Sequence, residues 1–562
     1  MKKIDNFYSE DKVVQEIAKE YLSAEFHQWA EKELMEFGES CANNIDERAV
    51  HTDREGQPRL IKYNRFGEEV SEVWVNEGYK KTVEETYNRG IVGYVHKNIP
   101  GLNKKGNYMY SYLQGYLLSQ TEPGFYCPVT LTMATAYLLD HYADEDVKAK
   151  FLPHVISTGE TELFEGATFL TERQGGSDVG ANVVMAKYEN GTYQLYGEKY
   201  FASNAGMCGV AMVLARIEES APGTKGLSLF AVPWRNEDSS LNGIKIRRLK
   251  DKLGVRAVPS GEVEFEGAKA YLVGEASKGI YYMMEALNLS RVCNAIASIG
   301  IMRRAYMEAK NYAFHREAFG KRLYEYPMVK DTLVKLAVKH EVETKATFKL
   351  VHIFDQVMRK EALSTEKDMV LNRLLIAILK KESAEQAIHF CHEAIEMHGG
   401  NGYIEDFVMA RLLRDAQVLT VWEGTANILG LEVLRLMQKY QAHQVFIDYI
   451  EEKLLNNASS VSTDLIKNGL EELKRMTAYI SQSDEAVQTF HSKKIAKLMA
   501  DLFESIIAIE YAEKSERNRK VAEVFLEMTW LQFTRIDHDM KSVQYFDEIV
   551  KGTVEKDSLS HA

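Results

Sequence analysis

The chain has 562 residues, 45% apolar and 27% charged, with a formal net charge of −13. That length exceeds one ordinary hydrophobic core and implies two to four domains of a globular protein rather than a disordered chain. The acidic balance argues against a general affinity for nucleic acid, and no apolar run reaches the ~18–20 residues that cross a bilayer.

In chain order, MKKIDNFYSEDKVVQE turns acidic after two lysines with no apolar run behind it, so no signal peptide is expected. Residues 1–163 read as a helical domain, with Val14, Ile17, Tyr21 and Phe26 recurring near helical spacing; the polar stretch NNIDERAVHTDREGQPRL inside it reads as a long surface loop. From 164 to 277 short β-like runs follow one another. Asn190-Gly191 between VVMAKYE and TYQLYG is a two-residue hairpin signal, VAMVLARI and GLSLFAVPW flank a Pro/Gly turn, and GEVEFEGAKAYLVG alternates Val263 and Phe265 with glutamates. Helices resume over 278–440, where Ile299, Met302 and Tyr306 mark one apolar face. After the polar break NNASSVSTD, an additional helical extension (441–562) carries the stripe Ile495, Met499, Leu502, Ile506 and Ile509. The fold class is mainly α with a central antiparallel β domain. Cys41, Cys127, Cys208, Cys293 and Cys391 form no CxxC pair, which disfavours a disulfide framework or a thiolate zinc site and fits a reducing cytoplasm.

Four segments bear chemistry. Thr171-Glu-Arg-Gln-Gly-Gly-Ser177-Asp178 follows the apolar GATFL; its glycines let backbone N–H groups face a ligand, and its hydroxyls can donate to a ring carbonyl or phosphate. Alone, it is equally an ordinary glycine turn after a strand. It is not GxGxxG, and no GxxxxGK[ST] occurs, so Rossmann and P-loop binding are unsupported. HREAFGKRL sets Arg316 beside a tight Phe319-Gly320 turn; a planar guanidinium there suits a pyrophosphate, and the plain alternative is a solvated helix end. EMHGGNGY offers amides without side-chain bulk, or simply a helix C-cap. In VWEGTANILG, Glu423 lies between Trp422 and Gly424, where partial desolvation would raise a carboxyl towards the range of a general base; a lone glutamate is more often paired or on the surface. His389, His392 and Glu396, with His398 nearby, share a helical face, but HEAIE is not HExxH and no metal is assigned.

Order and spacing add what single motifs lack. TERQGGSDV, GEKYFASNAG, FEGAKAYLVGE, RVCNAIASIGIMRRAY, HREAFGK, MHGGNGY, LLRDAQV and VWEGTANI together resemble the acyl-CoA dehydrogenase family over roughly residues 100–435. QGGSDV, the block RLKDKLGVRAVPSGEVEFEGA and the long C-terminal extension resemble its AidB-like, adaptive-response branch.

The resemblance implies an acyl-CoA dehydrogenase-like architecture of helical domain, β domain and helical bundle, with FAD as cofactor and a homotetramer built as a dimer of dimers. Thr168, Leu170, Thr171 and Ser177, with Phe201 and Ser203, would line the flavin. Arg316 and Phe319, with Glu396, Gly399 and Gly400, would hold the pyrophosphate and adenine end of a neighbour's FAD. Thr425 and Asn427 would touch FAD, while Ser177, Arg291 and Gly424 would contact substrate. Three positions depart from the family: Phe201 replaces a common tryptophan, Glu396 stands where glutamine is usual, and Pro327 replaces a polar cofactor contact.

The implied activity is α,β-dehydrogenation of an acyl-CoA thioester in fatty acid metabolism. Glu423 would take the α proton, and the β hydrogen would leave as hydride to flavin N5. The amide of Glu423 and a ribityl hydroxyl would polarise the thioester carbonyl, with an electron-transfer flavoprotein as acceptor. Two alternatives stand beside it: an AidB-like flavoprotein that binds nucleic acid and protects against alkylation, and an acyl-CoA-binding flavoprotein with little turnover. The extension has 15 Lys+Arg against 21 Asp+Glu, a net of −6 (15 − 21), so it reads as a packing and assembly element, with Lys493, Lys494 and Lys497 on a solvated face.

Overall fold

The computed structural model describes residues 4–359, 365–456, 461–531 and 540–552. The chain divides into two compact units, residues 4–300 and 301 onwards. Residues 457–460, within the polar break expected after 456, lie outside the described residues.

The first unit opens with helices α1 (Lys12–Tyr21), α2 (Ala24–Ser40) and α3 (Asp46–Arg54), strands β1 (Arg59–Tyr63) and β2 (Glu69–Trp74), then α4 (Glu77–Tyr87), α5 (Tyr108–Ser119), α6 (Pro123–Tyr142) and α7 (Glu145–Val155). Helix starts follow local chemistry: carboxylates of Asp11 and Asp144 and amide oxygens of Asn76 and Asn107 accept backbone N–H groups of the first turns. Val14, Ile17 and Phe26 are buried, as their spacing implies.

The long loop expected over residues 43–60 is not one. Its residues form a π turn (Cys41–Ile45), α3 and the start of β1. The buried face of α3 is Ala49, Thr52 and Asp53 rather than an apolar stripe, held where Asn76 Nδ2 donates to Thr52 Oγ1 at 3.0 Å and Arg48 pairs with Glu85 at 2.8 Å.

Strands β3 (Gly166–Phe169), β4 (Met185–Glu189), β5 (Thr192–Ser203), β6 (Val210–Ile217), β7 (Leu227–Pro233), β8 (Ile244–Leu249) and β9 (Ser260–Val273) make the central sheet. Its ladder closes on itself through β6, β4, β5, β9 and β7, with β3 joined to β6 and β8 to β9. Most pairings are antiparallel; β3–β6 and β4–β6 are parallel. The hairpin expected at Asn190-Gly191 joins β4 to β5, with φ of 51° and 81°. Inward residues such as Phe169, Val213, Phe230, Val263 and Phe265 fill the core, and Leu60 and Val73 of the first hairpin pack against it.

Helix α8 (Gly279–His315) leads into the second unit, which holds a two-residue ladder of β10 (Glu317–Ala318) and β11 (Lys321–Arg322), then α9 (Pro327–Met358), α10 (Glu366–His398), α11 (Met409–Leu419) and α12 (Ala426–Tyr440). The extension adds α13 (Ala442–Asn456), α14 (Asp464–Ser481), α15 (Glu485–Ala512) and α16 (Glu516–Trp530). The stripe Ile495, Met499, Leu502, Ile506 and Ile509 is fully buried.

The extension is joined to the bundle by charge as well as by apolar packing. Lys339 of α9 lies 3.1 Å from Glu343, 2.9 Å from Glu382 of α10 and 2.7 Å from Glu504 of α15, all buried. Burial and the neighbouring carboxylates hold Glu343 and Glu504 well above the usual carboxylate range. Lys497 departs from the solvated face expected for it: it is half-buried, reaches Glu382 at 3.3 Å and pairs with Asp501. Among the described residues no helix is long and apolar enough to cross a membrane.

Candidate active site

In the first unit, β3 delivers Thr168 and the chain then turns through Leu170–Asp178. A buried ion pair holds this turn: Lys199 Nζ of β5 donates to Glu172 Oε1 at 2.8 Å and to the Leu170 carbonyl at 3.1 Å. Lys199 is fully buried, and burial pulls its ammonium down to about 8. Glu172 also accepts the amides of Val183 and Val184, the Leu170 carbonyl accepts Asn182 Nδ2, and the Tyr200 amide donates to the Thr171 carbonyl at 2.9 Å. So Glu172 is committed to the scaffold. Around this anchor Ser177 and Asp178 are exposed, with Thr168, Leu170 and Thr171 half-buried. A Cβ on Gly176 would sit 2.5 Å from Thr171 Oγ1, which explains the second glycine.

Phe201 reaches the surface because β5 shifts register against β9 between Lys199 and Ala202, and such bulges re-aim a side chain. Its ring is 57% exposed, edge-on to Tyr200, with Lys250 Nζ 4.8 Å from its centroid. Ser203 Oγ is 3.3 Å from Ser260 Oγ. Arg291 of α8 is buried and donates to Asn288 Oδ1 at 3.1 Å. A separate cavity of about 450 Å³ is lined by Thr224, Lys225, Ser277, Lys278, Ile280 and the exposed Tyr281.

In the second unit, Arg316 follows the last residue of α8 and is exposed; its amide donates to the Tyr312 carbonyl and its carbonyl accepts Leu323 N–H. Phe319 and Gly320 form the turn between β10 and β11 with φ of 52° and 78°, leaving the Phe319 ring 97% exposed. Tyr326 donates its hydroxyl to the Ala318 carbonyl at 2.7 Å and braces that turn.

Helix α10 ends at Gly399 (φ 59°), and neither Gly399 nor Gly400 would bring a Cβ within 4 Å of another group, so bare backbone is presented there. His398 is turned inward, its Nδ1 2.7 Å from the Ala394 carbonyl and its ring 4.3 Å from that of Tyr312. It therefore does not join His392 and Glu396, which approach each other at 3.6 Å. The exposed His392 and Glu396 and the half-buried Glu393 bring ligand-type atoms within 4.8 Å of one another, whereas His389 leans to Glu393 at 4.0 Å.

Glu423 stands in the turn between α11 and α12. Trp422 N–H donates back to Val418, and the chain then takes two left-handed residues, Glu423 (φ 60°) and Gly424 (φ 108°), before Thr425 enters α12. A left-handed glutamate costs about 1–2 kcal/mol, so contacts must hold it. One is plain: Lys380 Nζ donates to the Gly424 carbonyl at 2.8 Å. Glu423 and Gly424 are half-buried, Thr425 and Asn427 are exposed, and the Thr425 hydroxyl does not cap α12. The 15-residue α12 that follows Glu423 points its N-terminal dipole at this turn, which favours negative charge there. Sequence reasoning missed Lys199 and Lys380; in the sequence, each is a lysine inside an otherwise strand-like or apolar run.

Within the first unit, hydroxyls over a braced glycine turn lie in the same domain as an exposed aromatic face; within the second, an exposed arginine, an exposed aromatic ring and bare glycine backbone are donor and stacking groups of the kinds that phosphates and aromatic rings take. Glu396 is engaged by His392, so the expected glutamine position carries a carboxylate already facing a partner.

Three domain families match the chain: "Adaptive response protein AidB N-terminal domain" over residues 2–159, "Acyl-CoA dehydrogenase, middle domain" over 167–268, and "Acyl-CoA dehydrogenase, C-terminal domain" over 277–437. Among relatives, "Acyl-CoA dehydrogenase family member 11" of Caenorhabditis elegans is 28% identical over 91% of this chain and 85% of its own length. The "Putative acyl-CoA dehydrogenase AidB" of Escherichia coli is 33% identical over 58% of this chain and 59% of its own. Among solved structures, Caenorhabditis elegans ACDH-11 in complex with C11-CoA has a TM-score of 0.85 at 25% identity over 99% of this chain and 97% of that one.

Proposed function

Because the chain belongs to the acyl-CoA dehydrogenase family and carries an AidB-type N-terminal domain, we propose that it oxidises an acyl-CoA thioester at its α,β carbons, with FAD as cofactor and Glu423 as base. The observation that carries this reading is the Glu423–Gly424 turn: a carboxylate in a costly left-handed conformation, braced by a buried lysine, at the head of a helix.

In this reading Thr168, Leu170, Thr171, Ser177, Phe201 and Ser203 take the ring end of FAD, with Thr425 and Asn427 also touching the cofactor. Arg316, Phe319, Glu396, Gly399 and Gly400 take the pyrophosphate and adenine end of a neighbouring subunit's FAD. FAD, when bound, supplies the acceptor for the β hydrogen. The chain's own residues do the rest. Glu423 removes the α proton, its amide stabilises the enolate oxygen as charge develops, and Ser177, Arg291 and Gly424 position the thioester. Lys225, Lys278 and the exposed Tyr281 offer cations and a stacking face to the phosphorylated nucleotide end of CoA. The structure of ACDH-11 in complex with C11-CoA supports acyl-CoA as the ligand class in this reading.

The exposed Phe319 and Tyr403 suit a homo-oligomer, a dimer of dimers by family habit, in a cytoplasmic setting, with an electron-transfer flavoprotein as acceptor. The extension is assigned to packing rather than nucleic-acid binding, because its Lys497 and Arg517 are spent on Glu382 and Glu341 of the bundle and its Glu504 on Lys339. The test is anaerobic addition of short, long and branched acyl-CoAs to the purified flavoprotein. Flavin bleaching by one class, and FAD rather than FMN on denaturation, are expected. An FMN protein refutes the cofactor; binding of every acyl-CoA without bleaching favours a sequestering flavoprotein.

A further inference from the structure

Lys380 is a fully buried lysine in the middle of α10, 1% exposed, and the reaction as described gives it no part beyond its contact with the Gly424 carbonyl. An ammonium withdrawn from water is costly unless its donors are satisfied, so its partners identify its purpose. The neighbouring Lys381 makes an ordinary helical pair, 2.9 Å from Glu385 one turn on. Lys380 instead reaches 44 positions along the chain to the Gly424 carbonyl, at 2.8 Å.

That carbonyl belongs to the residue directly after Glu423. With both residues left-handed, the direction of the Glu423 side chain and of its N–H depends on how the intervening peptide planes are turned. Gly424, with no Cβ and φ of 108°, gives these planes little intrinsic preference. A fixed donor on the Gly424 carbonyl removes that freedom. The donor comes from the interior of the 33-residue α10, a rigid element, rather than from a loop. It also places positive charge in the same turn as the carboxylate, where a neutral donor would supply the hydrogen bond alone.

We infer that Lys380 is a positioning residue for Glu423: through the Gly424 carbonyl it locks the Glu423–Gly424 turn in the one geometry that presents carboxylate and amide together to the thioester. The inference rests on the reading of Glu423 as base.

The test compares wild type, Lys380→Met, Lys380→Arg and Glu423→Gln as FAD-loaded proteins. Four quantities are read: FAD content, acyl-CoA affinity, the limiting rate of anaerobic flavin reduction, and amide hydrogen exchange across residues 418–430. Lys380→Met is expected to keep its FAD and to bind acyl-CoA within about threefold of wild type. Its limiting reduction rate should fall by about tenfold or more, because small misplacement of a reacting group carries penalties of that order. Its 418–430 amides should exchange faster, and Lys380→Arg, which keeps donor and charge, should recover part of both losses. If Lys380→Met does not fold, Lys380→Gln is read in its place with the same expected split. Lys380→Met that reduces its flavin at the wild-type rate, or that loses rate only in proportion to lost FAD, overturns the inference. Glu423→Gln separates the two levels: a wild-type rate there overturns the reading of Glu423 instead, whereas an inactive Glu423→Gln beside a fully active Lys380→Met removes only the role of Lys380.

Discussion

Among the described residues three turns share one backbone device, a left-handed residue followed by a left-handed glycine, and two of them invite comparison. Phe319-Gly320 and Glu423-Gly424 each place a bulky residue in a conformation that asparagine, as at Asn190-Gly191, adopts far more readily. At Phe319 the chain braces the backbone, through Tyr326 and the β10–β11 ladder, but leaves the ring 97% exposed. At Glu423 the brace is a buried lysine and the side chain is half-buried. The difference separates two uses of strain: one turn presents its side chain outward to something beyond its own chain, the other holds its side chain still.

The comparison can be broken at its strongest point by Gly424→Ala. A Cβ there meets Ile428 Cγ2 at 3.3 Å and φ of 108° is strained for alanine. We expect a loss of about 1–3 kcal/mol in urea denaturation together with slowed flavin reduction. Phe319→Asn sharpens the other side. Asparagine fits the left-handed turn, so the chain should gain up to about 1 kcal/mol while FAD retention, followed by dialysis and absorbance, falls. A variant that keeps its FAD shows that the Phe319 ring holds no cofactor. Asn190→Ala is the smallest effect and the control: about 0.5–1 kcal/mol lost, with flavin reduction unchanged.

The same contrast explains what could be read from the sequence. Asn190-Gly191 announces its turn because both residue types prefer it, and the stripe from Ile495 to Ile509 announces its helix because its burial is apolar. Helix α3 and the β1–β2 hairpin stayed hidden. The inner face of α3 is Ala49, Thr52 and Asp53, and the fully buried residue of the hairpin strands is the polar Ser71, with Leu60 and Val73 only half-buried, so neither has the apolar periodicity that marks a buried element. Order and spacing of motifs led to Glu423, Thr171 and Arg316. The supports of those residues did not show: Lys199, Lys380 and the Lys339 cluster bond across 27, 44 and up to 165 positions, and no local pattern encodes such partners. Lys497 misled for the same reason, since its helical position is that of a solvated face while Glu382 draws it inward.

The central claim is that Glu423 removes the α proton, and stopped-flow reduction of the bound flavin by acyl-CoA in Glu423→Gln tests it most directly. The glutamine variant should keep its FAD, bind acyl-CoA and reduce its flavin at least about 10²-fold more slowly than wild type, the scale expected when a general base is lost. Reduction at the wild-type rate would contradict the account.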